Sequence, residues 1–225
     1  MEPEITITKL ESRRGGEEAV ITVRIYGGEG REETSKLTVA SKMLFDIGNI
    51  GFGSIPYALS TEQYDTLLYD AELWVAVKKS IDLLSYGDNT KSVLVRKLRE
   101  RGFDKYLSED AAEYVASLGY IDELNMLERE VERLANVKLY GRSRIKAELY
   151  KKGISRDVIS ENLGGLLENV DFCENLLKLV RKKFDITSKD DRKYRESFYG
   201  AMYRLGYAPS ETRGAINTVI EEENE

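Results

Sequence analysis

The chain has 225 residues, 41% of them apolar and 33% charged, with a net charge of −6. That is enough for one large domain or two smaller ones with sizeable cores. The absence of histidine and the single cysteine, Cys173, exclude His-based triads, His metal sites, an internal disulfide and, in practice, a structural zinc site.

No apolar run approaches the roughly 20 residues of a membrane span. The opening MEPEITITKL lacks the basic and apolar segments of a signal peptide, so a cytoplasmic location is expected. Charge is uneven along the chain. Residues 1–89 hold 9 basic and 15 acidic side chains, whereas residues 90–225 hold 25 of each, four of the acids being Glu221, Glu222, Glu223 and Glu225 at the tail. A modest positive field over residues 90–220 suits an anionic partner without establishing one.

Residues 4–40 read as strands. Ile5 and Ile7 alternate with threonines, Gly15-Gly16 offers a turn, and Ala19 to Tyr26 is β-branched. Gly27, Gly28 and Gly30 break that run before a third strand at Leu37 to Val39. A short helix from Lys42 to Ile47, capped by Ser41 and ended by Gly48, is expected next. Gly48, Gly51 and Gly53 do not form a phosphate loop, because they follow a helix and contain no GK[ST]. They read as a turn-rich connector.

Ser60 and Gln63 form a capping box. From there Tyr64, Leu67, Leu68, Ala71, Trp74 and Val75 predict a long helix to about Tyr86, stopped by Gly87. Helices over Lys91–Arg101 and Lys105–Leu118 follow. Asp122 caps another, with Leu124, Leu127, Val131 and Leu134 facing inward. In residues 140–154, YGRSRIKAELYKKGI, the apolar pair Ile145 and Leu149 is four apart, and Gly153 ends the helix with φ > 0. Ser155 caps the next, from Arg156 to about Leu167. Phe172, Cys173, Leu176, Leu177, Val180 and Phe184 form one apolar stripe, Ser188 caps a further helix, and Pro209 begins the last at N1.

The 140–154 pattern occurs three times. Leu94, Leu98, Gly102 and Phe103 stand 51 residues before Ile145, Leu149, Gly153 and Ile154, and Phe198, Met202, Gly206 and Tyr207 stand 53 after them. A repeat of about fifty residues means stacked units, none able to bury its apolar face alone. The predicted fold is mainly α: three tandem three-helix repeats forming an elongated curved array, preceded by a small β-rich domain. The expected boundaries are 1–58 for the strand-rich domain, then 59–121, 122–169 and 170–225 for the repeats.

No catalytic constellation emerges. Cys173 reads as a packed core thiol and Trp74 as a core anchor. Neighbouring carboxylates such as Asp190 and Asp191 are explained as helix caps. Arg101 and Lys152, just before their glycines, complement a helix dipole. Lys91, Arg142 and Arg195 also fall in register, and the first two stand in the opening turn of their helices, where a cation opposes the dipole. Together with Lys146, one turn on from Arg142, they are the candidate partner-binding residues.

Residues 95–107, VRKLRERGFDKYL, and residues 140–155, YGRSRIKAELYKKGIS, resemble the first and second repeats of the RecX family of recombination regulators, and LGYIDE at 118–123 is similar to that family's linker. The resemblance covers about Ala71 to Glu225. It implies a non-enzymatic, cofactor-free, monomeric protein that binds the RecA recombinase. Family members lie in the groove of the RecA–DNA filament and reach single-stranded DNA through it. They hinder filament growth and damp ATPase, strand exchange and coprotease activities. The residues alone also admit a sequence-nonspecific nucleic-acid binder, disfavoured by few expected exposed aromatics, and a helical scaffold for another protein.

Overall fold

The structure, a computed structural model, describes residues 3–27 and 32–224, apart from the side chain of Phe52. The expected strand breakers Gly28 and Gly30, and Glu225 of the tail, lie outside the described residues. Contacts divide the chain into two compact units, Met1–Gly87 with Leu94–Tyr120, and Asp88–Val93 with Ile121–Glu225. The architecture is mainly helical, with three successive three-helix repeats after a small antiparallel sheet.

In the first unit, strands β1 (Glu4–Arg13), β2 (Glu18–Tyr26), β3 (Glu32–Ala40) and β4 (Tyr57–Leu59) form an antiparallel sheet in the order β3-β2-β1-β4. The inner face follows the two-residue period: Ile7 lies opposite Val23, and Ala19 opposite Val39. Between Ile7 and Lys9 the register slips by one, so Leu10 comes to oppose Ile21. The three-residue spacing from Ile7 to Leu10 requires this bulge, since a regular strand would send Leu10 to the other face. Strand β4 lies within the stretch that reads as a mere connector. Three residues are too few to show alternation.

Helix α1 (Met43–Gly48) forms as expected, but its N-cap is Lys42 without a side-chain cap, and Asn49, in the left-handed conformation, ends it. Helix α2 (Thr61–Ser85) begins on the predicted box, Gln63 N–H donating to Ser60 Oγ at 3.1 Å and Ser60 N–H to Gln63 Oε1 at 2.9 Å. Leu67, Ala71 and Trp74 are buried, while Leu68 and Val75 are exposed and Leu73, Ala76, Val77 and Leu83 are buried instead. The helix packs on β3 and on α4 (Lys105–Ser117), and two partners need a wider apolar arc than one stripe. Helix α3 (Lys91–Arg99) spans the boundary between the units and completes the first repeat.

The second unit holds α5 (Glu123–Glu132), α6 (Arg142–Lys152), α7 (Arg156–Glu168), α8 (Phe172–Lys183), α9 (Arg192–Arg204) and α10 (Pro209–Glu222). Its core joins Leu127, Val131, Ile145, Leu149, Leu176, Phe198 and Met202 among others. Three expectations are corrected. Leu124 is exposed. Ser188 lies in a 3-10 turn, and Asp191 caps α9 by accepting from Lys193 and Tyr194 N–H. Cys173 is exposed rather than packed, because Phe172, Leu176, Leu179 and Val180 already fill the inward arc of α8.

The lone tryptophan ties sheet to helix. Trp74 Nε1 donates to Glu18 Oε1 at 2.9 Å, with Lys78 at 3.3 Å and Arg14 at 3.4 Å from the same carboxylate, which is 6% exposed. Burial pushes the Glu18 carboxyl up, and the hydrogen bonds from Trp74 and Lys78 outweigh it, holding the group below the usual carboxylate range. Trp74→Phe keeps a six-membered aromatic ring but deletes that donor together with the pyrrole half of the indole. A loss of about 1–3 kcal/mol in urea unfolding, followed by far-UV circular dichroism, is expected. A change under roughly 0.5 kcal/mol would mean that the two cations hold Glu18 without the indole.

Candidate partner-binding surface

The repeated glycines set the geometry of this surface. Gly102, Gly153 and Gly206 have φ of 95°, 85° and 98°, the left-handed region that ends each middle helix without a Cβ penalty. At Gly153 the carbonyl oxygen accepts the Ser92 hydroxyl at 2.7 Å. At Gly206 it accepts the Ser143 hydroxyl at 3.1 Å. Ser92 and Ser143 are 51 residues apart, each the second residue of its helix. One contact is thus made twice, the first turn of a middle helix docking on the glycine corner of the following repeat.

Each joint has an additional clasp. At the first, the Glu123 carboxylate accepts Lys91 N–H at 2.9 Å with one oxygen and Ser155 N–H at 2.8 Å with the other. These are the opening amides of two helix starts, α3 and α7, satisfied by one acid. At the second, Gly141 N–H donates to Leu205 O at 2.8 Å and Tyr207 Oη to Leu139 O at 3.1 Å. Phe172, 49 residues after Glu123, underlies the Arg142 guanidinium at 4.1 Å from the ring centre, and Glu211 is 3.6 Å away from it. At equivalent places, then, a carboxylate accepts backbone amides in one joint and an aromatic ring carries a cation in the other.

The four candidate residues are distributed as follows. Lys91 begins α3 beside Glu123. Arg142 begins α6 and flanks a cleft of about 530 Å³ lined by Phe172, Cys173, Leu176, Glu211 and Ala215. Lys146, one turn further, is exposed, and no ion pair holds it among the described residues. Arg195 is half-buried and is the fourth residue of α9, so the helix-start argument does not extend to it. At the start of α6 the Arg142 guanidinium is thus built into a joint, at the start of α3 it is the backbone amide of Lys91 that Glu123 accepts, and Lys146 is an exposed candidate outside both joints.

Serines 92 and 143, Glu123 and Glu130 were missed in the sequence. The recurrence of Thr90-Lys91-Ser92 as Gly141-Arg142-Ser143 carried the signal for the serines. Glu130 is 8% exposed, accepting from Arg133 at 2.5 and 3.2 Å and from Lys152 at 2.8 Å. Lys152 thus reaches a specific carboxylate as well as a helix end. The expected scarcity of exposed aromatics is also corrected: Tyr86, Tyr106, Tyr120 and Tyr203 are all more than half exposed, each on a different element or connection.

Two outcomes follow. A Cβ on Gly153 would stand 2.6 Å from Ser92 Oγ and 3.1 Å from Thr90 Oγ1, whereas one on Gly102 meets nothing within 4 Å. Both alanine variants carry the backbone cost of about 1–3 kcal/mol, and Gly153→Ala is expected to lose more than Gly102→Ala in thermal and urea unfolding. Equal losses would mean that the joint yields freely.

The second concerns pH. Arg133, and after it Lys152, outweigh the desolvation of Glu130 and hold it at about 2, against an ordinary value of 4.5. A depressed carboxylate adds stability that is complete above the unfolded value and lost as pH falls toward the folded one. Glu130→Gln is expected to cost about 2 kcal/mol at pH 6. The gap from wild type should shrink by more than half at pH 3, and a gap independent of pH would refute the assignment.

No helix among the described residues is long and apolar enough to cross a membrane. A model of the RecX second three-helix domain matches residues 128–163, centred on α6. The regulatory protein RecX of Pseudomonas entomophila (strain L48) is 33% identical over 111 residues, 49% of this chain and 70% of that protein. That of Clostridioides difficile (strain 630) is 29% identical over 127 residues, 56% of this chain but only 59% of the relative. A crystal structure of regulatory protein RecX superposes with a TM-score of 0.68 at 20% identity, covering 97% of this chain and 99% of that one, a likeness of fold. The repeated glycine corners, the matched middle repeat and these relatives together assign the chain to the RecX family.

Proposed function

We propose that the chain is a non-enzymatic regulator that binds a RecA-type recombinase filament, lying along it and restraining filament growth, ATP hydrolysis, strand exchange and coprotease activity. Membership of a family whose relatives are named regulatory proteins carries this reading. The repeat construction supports it: stacked units present one face several times, which suits a partner that is itself repetitive. In this reading the protein acts in the cytoplasm as a monomer, needs no cofactor, and meets single-stranded DNA through the filament.

The docking face includes Lys91, Arg142, Lys146 and Arg195. Lys146 is its most direct probe, because a change at Arg142 also removes the Phe172 and Glu211 contacts. ATP hydrolysis by RecA on single-stranded DNA, measured with and without the chain, tests the function. Lys146→Glu is expected to raise the inhibitory concentration about fivefold, roughly 1 kcal/mol, with an unchanged melting temperature. Lys151→Glu, on the same helix, is the control and should change it less than twofold. Full-strength inhibition by Lys146→Glu would remove Lys146 from the face, and no inhibition by the wild-type chain would end the RecA reading.

A further inference from the structure

The internal joints identify what fits a glycine corner, and one corner has no such occupant among the described residues. We propose that Arg101–Gly102–Phe103, the corner of the first repeat, docks the first turn of a helix from another protein, one beginning with a small residue, a cation and a serine. The proposal rests on the joint geometry and stands apart from the RecA reading.

Gly102 has the same left-handed backbone as Gly153 and Gly206, yet it is exposed and its space is open for 4 Å. The residue after each glycine responds accordingly. Ile154 and Tyr207 are 3% and 2% exposed, whereas Phe103 is only half-buried. Tyr106, three further on, is 71% exposed. An apolar residue that each later repeat buries is left open here.

The charge around the corner suits a positive helix start. Glu72 stands 19 residues before Lys91, as Glu123 stands 19 before Arg142, and Glu72 is exposed. Asp104 holds the place of Ser155 and caps α4. Tyr69, which donates to Asp110 at 2.5 Å, has its phenol held above the ordinary range first by burial and then by Asp110, Asp104 and Asp70. Three of the cations near the corner have partners within their own helix or corner. Arg101 donates to Lys97 O at 2.7 Å, Arg96 to Glu100 at 2.6 Å, and Lys105 lies 4.0 Å from Glu109. Asp104 at the corner, with Asp110 on α4 and Glu72 on α2, suits an incoming N-terminus that carries half a positive charge and a lysine or arginine.

A second copy of this chain does not supply that helix. Its two matching turns, Thr90-Lys91-Ser92 and Gly141-Arg142-Ser143, are consumed in its own joints. The third, Tyr194-Arg195-Glu196, lies inside α9 and carries glutamate in the serine's place. The occupant is a different protein.

The probe is a side-chain-bridged helical peptide of residues 88–101, which contains the Thr90-Lys91-Ser92 turn, titrated into the isotope-labelled full chain. Amide shifts centred on Gly102 and Phe103 are expected. The peptide carrying Lys91→Glu and Ser92→Ala should bind at least fivefold more weakly, and so should the parent peptide to the Glu72→Lys chain, whose spectrum must keep its native dispersion. Absence of shifts at Gly102 and Phe103 at millimolar peptide, equal binding of the two peptides, or shifts centred on Gly153 would each overturn the proposal.

Discussion

Each repeat joint depends on a carbonyl oxygen held out by a glycine in the left-handed conformation. A side chain at Gly206 would lie 2.6 Å from the backbone nitrogen of Arg144, and one at Gly141 would lie 2.3 Å from Gly206 O. These distances are well inside van der Waals contact, and the obstructing atoms are backbone, so neither partner can turn aside. Close approach brings the serine hydroxyl within bonding reach, and the hydroxyl satisfies a carbonyl that the helix end leaves free. The sequence requirement and the packing are therefore one constraint. A side chain here separates the repeats, and separation strands polar groups and the apolar residue that follows the glycine.

The same constraint explains the cations at the helix starts. Considered alone, Lys91 and Arg142 oppose their helix dipoles by about 0.3–1 kcal/mol, which in sequence points to an external partner. In the structure the first amide of α3 already has a carboxylate, and the guanidinium at the start of α6 already has a ring and an acid. Part of the positive field over residues 90–220 is thus committed inside the stack. One turn further along α6, Lys146 is exposed to an anionic surface while Arg144 pairs with Glu148 at 2.6 Å.

How much was legible in the sequence follows from the range of the interactions. Helix boundaries set by local chemistry were: the Ser60–Gln63 box, the Asp122 and Ser155 caps, proline at the start of α10 and the three glycine ends all act within four residues. Burial on a helix with one neighbour was largely readable as a stripe. It failed on α2, which packs against β3 and α4 as well as α1 and β4, and at Cys173, where a spacing of one from Phe172 places the thiol about 100° off the buried line. Strand β4 and the α9 cap failed because three residues or an Asp-rich loop offer several equivalent local solutions. The joint residues failed for a different reason. Glu123 looks like any first-turn acid until Lys91, 32 residues away, brings its amide, and no local pattern records that.

This asymmetry distinguishes the three repeats. The middle repeat both receives a helix start at Gly153 and offers one at Gly141 to Ser143, so its sequence answers to two joints. The last repeat receives at Gly206, but α9 begins early, with Asp191 capping Arg192 onward and Glu196 where the serine would be, so it offers nothing to a further unit. The first repeat offers Ser92, and a Cβ on its own corner at Gly102 would meet nothing within 4 Å among the described residues. Two sets of contacts constrain the middle repeat and one set constrains each of the others. The family model falls on residues 128–163, within the middle repeat, where helix, glycine corner and following cap must all be kept at once. The outer repeats answer to one joint each, and it is on an outer repeat that a new partner can be accommodated without disturbing the stack.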